Sequence, residues 1–253
     1  EIRLSLVGSE MCIRDRSIGM LWAADEPDLR MLQQKAAQSR DMEGYVGVCK
    51  YLYQTEENPE LLLLYADSIH QLATKSKKPE QLVEYYIWAS EGNFIKGDFQ
   101  QGYALKRKAI ALAEKAGLKF AISQSCCDMG YYCNVDARYD SARYYFRKGL
   151  EAGEDLSEAG EACRTMLTNY ASSFLFEGKT DSALVYTIRA SERSAADKDT
   201  AMLIENLNQL GTIYRRKKNL ENCIANFEQA LHLCELRGNH NAVAFIYGNI
   251  ATA

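Results

Sequence analysis

Residues 204–230 read IENLNQLGTIYRRKKNLENCIANFEQA, and this stretch decides the fold. Apolar and small residues recur three or four positions apart over 207–214 and again over 223–230, which is the spacing of one face of a helix. A polar run that ends at Asn219 separates the two segments. The stretch therefore predicts two amphipathic helices that are joined by a short turn.

The same arrangement recurs along the chain at a nearly constant spacing. When Leu207 is counted as position 4, one repeat begins at Ile204, and the others begin at Val83, Ser123, Arg164 and Ala244. These starts are 40, 41, 40 and 40 residues apart. Large residues fall at positions 4, 7, 11 and 24, and small residues at positions 8, 20 and 27, where two crossing helices need small side chains. Because one helix pair cannot bury its apolar face alone, the pattern predicts stacked pairs.

The motif resembles the tetratricopeptide (TPR) repeat, with Leu207 in the place of its first aromatic residue and Cys223 in the place of a small alanine. The resemblance implies an all-α fold, an α-solenoid (superhelix) of antiparallel helix pairs. The usual TPR repeat has about 34 residues and a terminal proline. The repeat found here is longer and lacks that proline. We therefore expect longer helices or longer connections.

The repeats divide the chain into segments. Residues 83–253 contain the TPR-like repeats, and the last of them stops in mid-pattern at Ala253, so we expect a truncated array. Residues 25–82 fit the motif loosely, and we interpret them as a degenerate N-terminal or capping repeat. Pro59 and Pro79 follow Asn58 and Lys78, which predicts a helix start at each proline.

The first 24 residues are interpreted separately. Residues 6–15, LVGSEMCIRD, can be encoded by CTC GTG GGC TCG GAG ATG TGT ATA AGA GAC, which resembles one reading frame of a transposon-end sequencing adapter. We interpret residues 1–16 as translated adapter and exclude them from the fold. Residues 17–24 resemble the tail of a secretory signal peptide; the alternative is an apolar turn that leads into the first helix. The chain is thus expected to be exported to the periplasm, with a cytoplasmic location as the alternative.

Composition and motifs argue against several function classes. The net charge of −4 gives no basic face for nucleic acid. No apolar run is long enough to span a membrane. The three histidines show no metal-ligand spacing, and no GxSxG, HExxH or GxxxxGK[ST] motif occurs. We therefore expect neither an enzyme nor a metal or cofactor site.

Seven of the eight cysteines follow the adapter-like segment, an odd number without CxxC spacing. Cys126 and Cys133 fall on packing positions 4 and 11. We expect these cysteines to be small core residues. If the protein is exported, the alternative is that two of them form one disulfide bond.

The TPR resemblance also implies a partner-binding surface. In that family the first helix of each pair lines the concave face, with positions 2, 5, 9 and 12 pointing into it. Carried over to this sequence, the candidate groove residues are Gln124, Cys127, Tyr131, Asn134, Thr165, Thr168, Ser172, Leu175, Glu205, Asn208, Thr212 and Arg215. This set is mostly uncharged and polar, and it lacks the Lys/Arg–Asn cluster with which some co-chaperones bind a terminal carboxylate. It predicts a protein or peptide ligand in the groove.

Long repeats behind a signal-like segment resemble the periplasmic sensor regions of bacterial regulators. In those proteins a TPR array precedes a membrane helix and a histidine-kinase or DNA-binding output domain. The sequence therefore favours a protein- or peptide-binding scaffold, and within that class such a sensor region. A free-standing scaffold that organises a protein assembly is the alternative, and the non-catalytic part of an enzyme is a third hypothesis.

Overall fold

The structure is a computed structural model that describes residues 28–56, 58–238 and 240–251. The adapter-like and signal-like segments lie outside these residues. The described part consists of twelve α-helices and one short 3₁₀ turn, without a β-strand. In chain order the helices are α1 (Leu29–Ser39), α2 (Met42–Thr55), α3 (Pro59–Ser76), α4 (Pro79–Lys96), α5 (Phe99–Ala116), α6 (Lys119–Val135), α7 (Tyr139–Gly153), α8 (Gly160–Phe176), α9 (Thr180–Ala196), α10 (Thr200–Arg216), α11 (Leu220–Leu236) and α12 (His240–Ala251). The 3₁₀ turn is Ser157–Ala159.

The described residues form two compact units, one that ends at Ser125 and one that begins at Cys126, and the boundary falls within α6. In the first unit, neighbouring helices from α1 to α5 pack against one another, and in the second unit neighbouring helices from α7 to α12 do the same. Consecutive antiparallel helices stacked in this way are the arrangement of a helical repeat protein. The expected fold class, an all-α solenoid of antiparallel helix pairs, is confirmed.

Helix length explains the repeat period of about 40 residues. The four helices α8 to α11 have 17 residues each. They are joined by the three-residue connections 177–179, 197–199 and 217–219. The single 41-residue spacing has a local cause. There α7 has only 15 residues, and the longer connection to α8 contains the 3₁₀ turn.

The small residues at position 8 allow the two helices of a pair to touch. A Cβ atom added to Gly130 would lie 2.4 Å from the ring of Phe146, and one added to Gly211 would lie 2.5 Å from the ring of Phe227. Both phenylalanines are at position 24 and are fully buried. The steric interpretation of positions 8 and 24 is thus confirmed for these two pairs.

The prolines mark helix starts, as expected. Pro59 and Pro79 lie in the first turns of α3 and α4. The side chain of Asn58 accepts a hydrogen bond from the backbone N–H of Leu61 at 2.9 Å and so caps α3. Lys78 stands at the same place before α4 but makes no side-chain cap.

The seven cysteines of the described residues are all buried. Cys126 and Cys133 have exposed fractions of 0% and 1%, so the prediction that they are core residues is confirmed. No helix in the described ranges combines the length and the apolar character that a membrane crossing requires.

Candidate functional site

The candidate groove residues lie on α6, α8 and α10, which are the first helices of three successive pairs. Gln124 is exposed and belongs to the first unit, whereas the others belong to the second unit. In the second unit the structure separates them into a buried group and a half-exposed group.

The buried group bonds one helix pair to the next. Its polar members Asn134, Thr165, Thr168 and Ser172 have exposed fractions between 1% and 9%. The amide Nδ2 of Asn134 donates to the carbonyl oxygen of Asn169 at 3.0 Å. The sequence predicts that these four side chains line the partner-binding groove. In the structure they are covered by neighbouring helices. The apolar candidate Leu175 and the thiol of Cys127 are buried as well.

Two hydroxyl groups on α8 show why these side chains are buried: each forms a hydrogen bond to another helix. The hydroxyl of Thr168 donates to Oδ1 of Asn206 at 2.9 Å. The hydroxyl of Ser172 accepts from Nε2 of Gln209 at 2.6 Å. Both partners lie on α10, so these side chains point toward the first helix of the next pair rather than toward solvent.

The half-exposed group consists of Tyr131, Glu205, Asn208, Thr212 and Arg215. Three of them, Asn208, Thr212 and Arg215, follow one another along α10, and we call them, together with Asn249 of α12, the α10 face. Oδ1 of Asn208 accepts from Nδ2 of Asn249 at 2.7 Å. The hydroxyl of Thr212 donates to the carbonyl oxygen of Asn208 at 3.1 Å. The face therefore presents amide and hydroxyl groups, which both donate and accept, beside one guanidinium that only donates.

One part of this site was not expected from the sequence. Position 6 of three successive repeats is an amide residue, Asn169, Gln209 and Asn249, at intervals of 40 residues. Gln209 and Asn249 bond to the first helix of the preceding pair, and the backbone carbonyl of Asn169 does so as well. The regular recurrence of an amide at one repeat position is the signal that would have identified them.

The basic run 215–218 lies at the C-terminal end of α10, as expected. Two of its cations bond to the preceding helix pair. Nη1 of Arg216 donates to the carbonyl oxygen of Leu175 at 2.8 Å, and Lys217 forms an ion pair with Asp181. Arg215 is the member of the run that lies on the α10 face, where its side chain is half-exposed.

A separate charged cluster surrounds the connection between α9 and α10. Arg164 contacts Asp197 at 3.1 Å and Asp199 at 2.8 Å, and Arg193 contacts Asp197 at 2.8 Å. The hydrogen bonds from Arg193 and then Arg164 lower the pKa of Asp197. A shallow cavity of about 410 Å³ opens beside this cluster and is lined also by residues 154–157.

Within the described residues, no group of three or more His, Cys, Asp or Glu side chains is arranged to hold a metal ion. The ring of His70, an exposed side chain, stacks on that of Tyr85 with 4.3 Å between ring centroids.

No protein-family model and no curated protein matches this sequence. Solved structures do match its fold. BtubC (BKLC) from P. vanneervenii superposes with a TM-score of 0.69 at 14% identity, over 83% of this chain and 88% of that one. The apo form of RapI gives 0.66 at 11% identity, over 98% and 66%.

Aspartyl phosphate phosphatase F from Bacillus subtilis gives a TM-score of 0.59 at 17% identity, over 98% of this chain and 64% of that one. The chain thus spans about two thirds of the length of RapI and of phosphatase F. At such low identity the likeness concerns the fold. The chain shares the fold of these three proteins, in keeping with the TPR-like helical repeat that its sequence predicts.

Proposed function

We propose that this chain is a protein- or peptide-binding scaffold and that the α10 face contacts the partner. The observation that carries the proposal is a row of half-exposed polar side chains, Asn208, Thr212 and Arg215, on one face of a first helix. Position 5 of the repeat, where Asn208 lies, is also a position that the TPR resemblance assigns to ligand contact.

The chemistry of the α10 face suits a polypeptide. Amide and hydroxyl groups can pair with both the N–H and the C=O groups of an extended peptide backbone, and a guanidinium can pair with a carboxylate. Asn208 is already held by its hydrogen bond to Asn249. A side chain fixed in advance loses less conformational entropy when a partner binds.

We infer that the chain binds without catalysis. The α10 face offers hydrogen-bonding groups, but it does not pair a nucleophile with a general base, which covalent catalysis requires. The hydroxyl of Thr212 donates to a backbone carbonyl, so a basic side chain does not activate it.

The binding proposal can be tested with a random peptide library displayed on phage, panned against the whole chain. Recovered peptides are then measured by isothermal titration calorimetry. For a peptide with an acidic residue, Arg215→Gln is expected to weaken binding about tenfold or more, because a hydrogen bond to a charged group contributes roughly 1.5–3 kcal/mol. Gln229→Ala, at an exposed position of the second helix α11, is the control and should leave Kd unchanged.

Circular dichroism and melting of both variants exclude misfolding as the cause of a change. Recovery of no peptide, or equal losses from Arg215→Gln and Gln229→Ala, would contradict the proposal.

Within this function we propose that the chain is the periplasmic sensor region of a bacterial regulator. The signal-like residues 17–24 and the long repeats support this. Sequencing the complete gene from its source DNA tests it. A signal peptide upstream, with a membrane helix and an output domain downstream, is the expected result. A cytoplasmic start and a stop codon soon after Ala253 would instead favour the free-standing scaffold.

A further inference from the structure

The α8–α9 pair lacks the ring-on-glycine packing described above for the α6–α7 and α10–α11 pairs. Position 24 holds Phe146 in α7 and Phe227 in α11, but in α9 it holds Thr187. Thr187 is fully buried. Its Oγ1 lies 2.8 Å from the carbonyl oxygen of Ala183 and 3.0 Å from Oε1 of Gln209 on α10. A hydroxyl group thus occupies the place of an aromatic ring.

Thr187 belongs to a set of buried and half-buried hydrogen bonds between α8, α9 and α10. Thr168 donates to Asn206, and Nδ2 of Asn206 donates to the hydroxyl of Ser194 at 3.1 Å. Asn206 and Ser194 have exposed fractions of 0%. Gln209 connects Thr187 to Ser172. We call the six side chains the polar seam: Thr168, Ser172, Thr187, Ser194, Asn206 and Gln209.

The other end of the same interface is apolar. Near the α8–α9 turn, Leu175, Ala183 and Ile213 form a buried cluster against which Phe174 and Leu184 pack. We call these five residues the apolar end. Because α8, α9 and α10 contribute to both, the same set of helices carries an apolar cluster near the α8–α9 turn and a network of hydrogen bonds from the middle of the helices onward.

The two ends differ in what opening costs. When hydrogen-bonded groups separate and water enters, bonds to water replace those that are lost, so the net loss for each bond is small. When apolar groups separate, apolar surface becomes exposed to water, and no new hydrogen bonds offset the free energy that this exposure costs. The rim beyond the polar seam is formed by the partly exposed ion pairs of Arg164 with Asp197 and Asp199. Such pairs contribute little and are screened by salt.

We propose that the second unit opens at the polar seam while the apolar end stays closed and acts as the pivot. Opening exposes Thr168 and Ser172, which the TPR resemblance assigns to the groove and which are buried in the closed structure. The movement would explain how two side chains that are buried in the closed structure could still face a groove. It does not depend on the identity of a partner or on the binding proposal.

A thiol placed at each end measures the movement. Ser194→Cys replaces a buried hydroxyl of the polar seam, and Ala183→Cys places a thiol at the apolar end of the same helix. Both sites have exposed fractions of 0%. Reaction of each thiol with N-ethylmaleimide is followed by peptide mass mapping of the whole chain. We expect the thiol of Ser194→Cys to react at least ten times faster than that of Ala183→Cys, and faster still in high salt.

Two further measurements separate opening from unfolding. A local opening exposes little surface, so the labelling rate of Ser194→Cys should rise only weakly with urea, whereas global unfolding gives a steep rise. Adding Thr168→Val and Asn206→Leu replaces hydrogen bonds with apolar contacts and should slow the labelling about tenfold. Equal rates at the two ends, or a steep urea dependence for Ser194→Cys, would overturn the proposal.

Discussion

Gly130 and Gly211 set how closely the helices of their pairs approach. In both, the space that a Cβ would fill is taken by a phenylalanine ring of the second helix. Neither glycine has a positive φ, so steric contact rather than backbone conformation requires it.

Gly211→Ala should therefore destabilise the second unit. The added methyl group forces the Phe227 ring aside, and overpacking of this kind costs about 1–3 kcal/mol. Gly248→Ala is the matched control, because outside the adjoining backbone of its own helix nothing lies within 4 Å of its added Cβ. That change should leave stability unchanged or raise it, since alanine favours a helix by up to about 1 kcal/mol over glycine. Urea unfolding measures both; equal effects would contradict the steric explanation.

At the same position 24 of the first repeat, Lys106 replaces the phenylalanine. Its side chain has an exposed fraction of 0% and forms an ion pair with Glu91, whose side chain is 3% exposed. Two charges removed from water stabilise a fold only when they are paired, and removing one of them leaves the other without compensation.

Lys106→Met should cost about 3–5 kcal/mol of unfolding free energy, because Glu91 is left as a buried charge. The double variant Lys106→Met with Glu91→Met should recover most of that loss, since apolar side chains of similar volume can replace a buried pair. Urea unfolding of the single and double variants is the measurement. If the double variant were as unstable as Lys106→Met, the loss would stem from packing rather than charge.

At the scale of helices, α3 and α4 offer a natural comparison of helix starts. Both have a proline in the first turn, but only Asn58 caps its helix with a side chain. Asn58→Ala should lower the unfolding free energy by about 1 kcal/mol, whereas Lys78→Ala should change it little. Thermal unfolding of the two variants tests this, and equal losses would show that the cap adds nothing beyond the proline.

The helix boundaries show how far the sequence predicts elements. The motif predicts repeat starts at Arg164 and Ile204, yet α8 and α10 each begin four residues earlier. The motif marks where helices cross, because crossing restricts side-chain size. The preceding turn of each helix lies before the motif, and only its last residue shares a property across the repeats, being apolar in Leu82, Ile122, Cys163, Leu203 and Val243.

The candidate site was less predictable than the helices, because contacts between neighbouring helix pairs are not part of the repeat motif. Repeat position identifies the face of α8 on which Thr168 lies, but its burial depends on Asn206, 38 residues further on. Hydrogen bonds between neighbouring pairs are set by the particular residues that meet, which a repeat motif does not specify.

For the whole molecule, the repeat period predicted the helical-repeat fold, because 40-residue spacing leaves room for two helices and two short connections. The division into two units was not predicted. Its boundary falls inside α6, where the repeat that begins at Ser123 runs on without a change in pattern.

The seven buried cysteines have a practical consequence for the whole chain. They lie on α2, α6, α8 and α11 and thus sample both units. Burial raises the pKa of Cys49 to about 12, so its reactive thiolate is scarce at neutral pH until the surrounding helices separate. The reaction of each cysteine therefore reports when the helices around it separate. The order in which unmodified protein takes up a thiol reagent should give the order in which its parts come open, without a single engineered label.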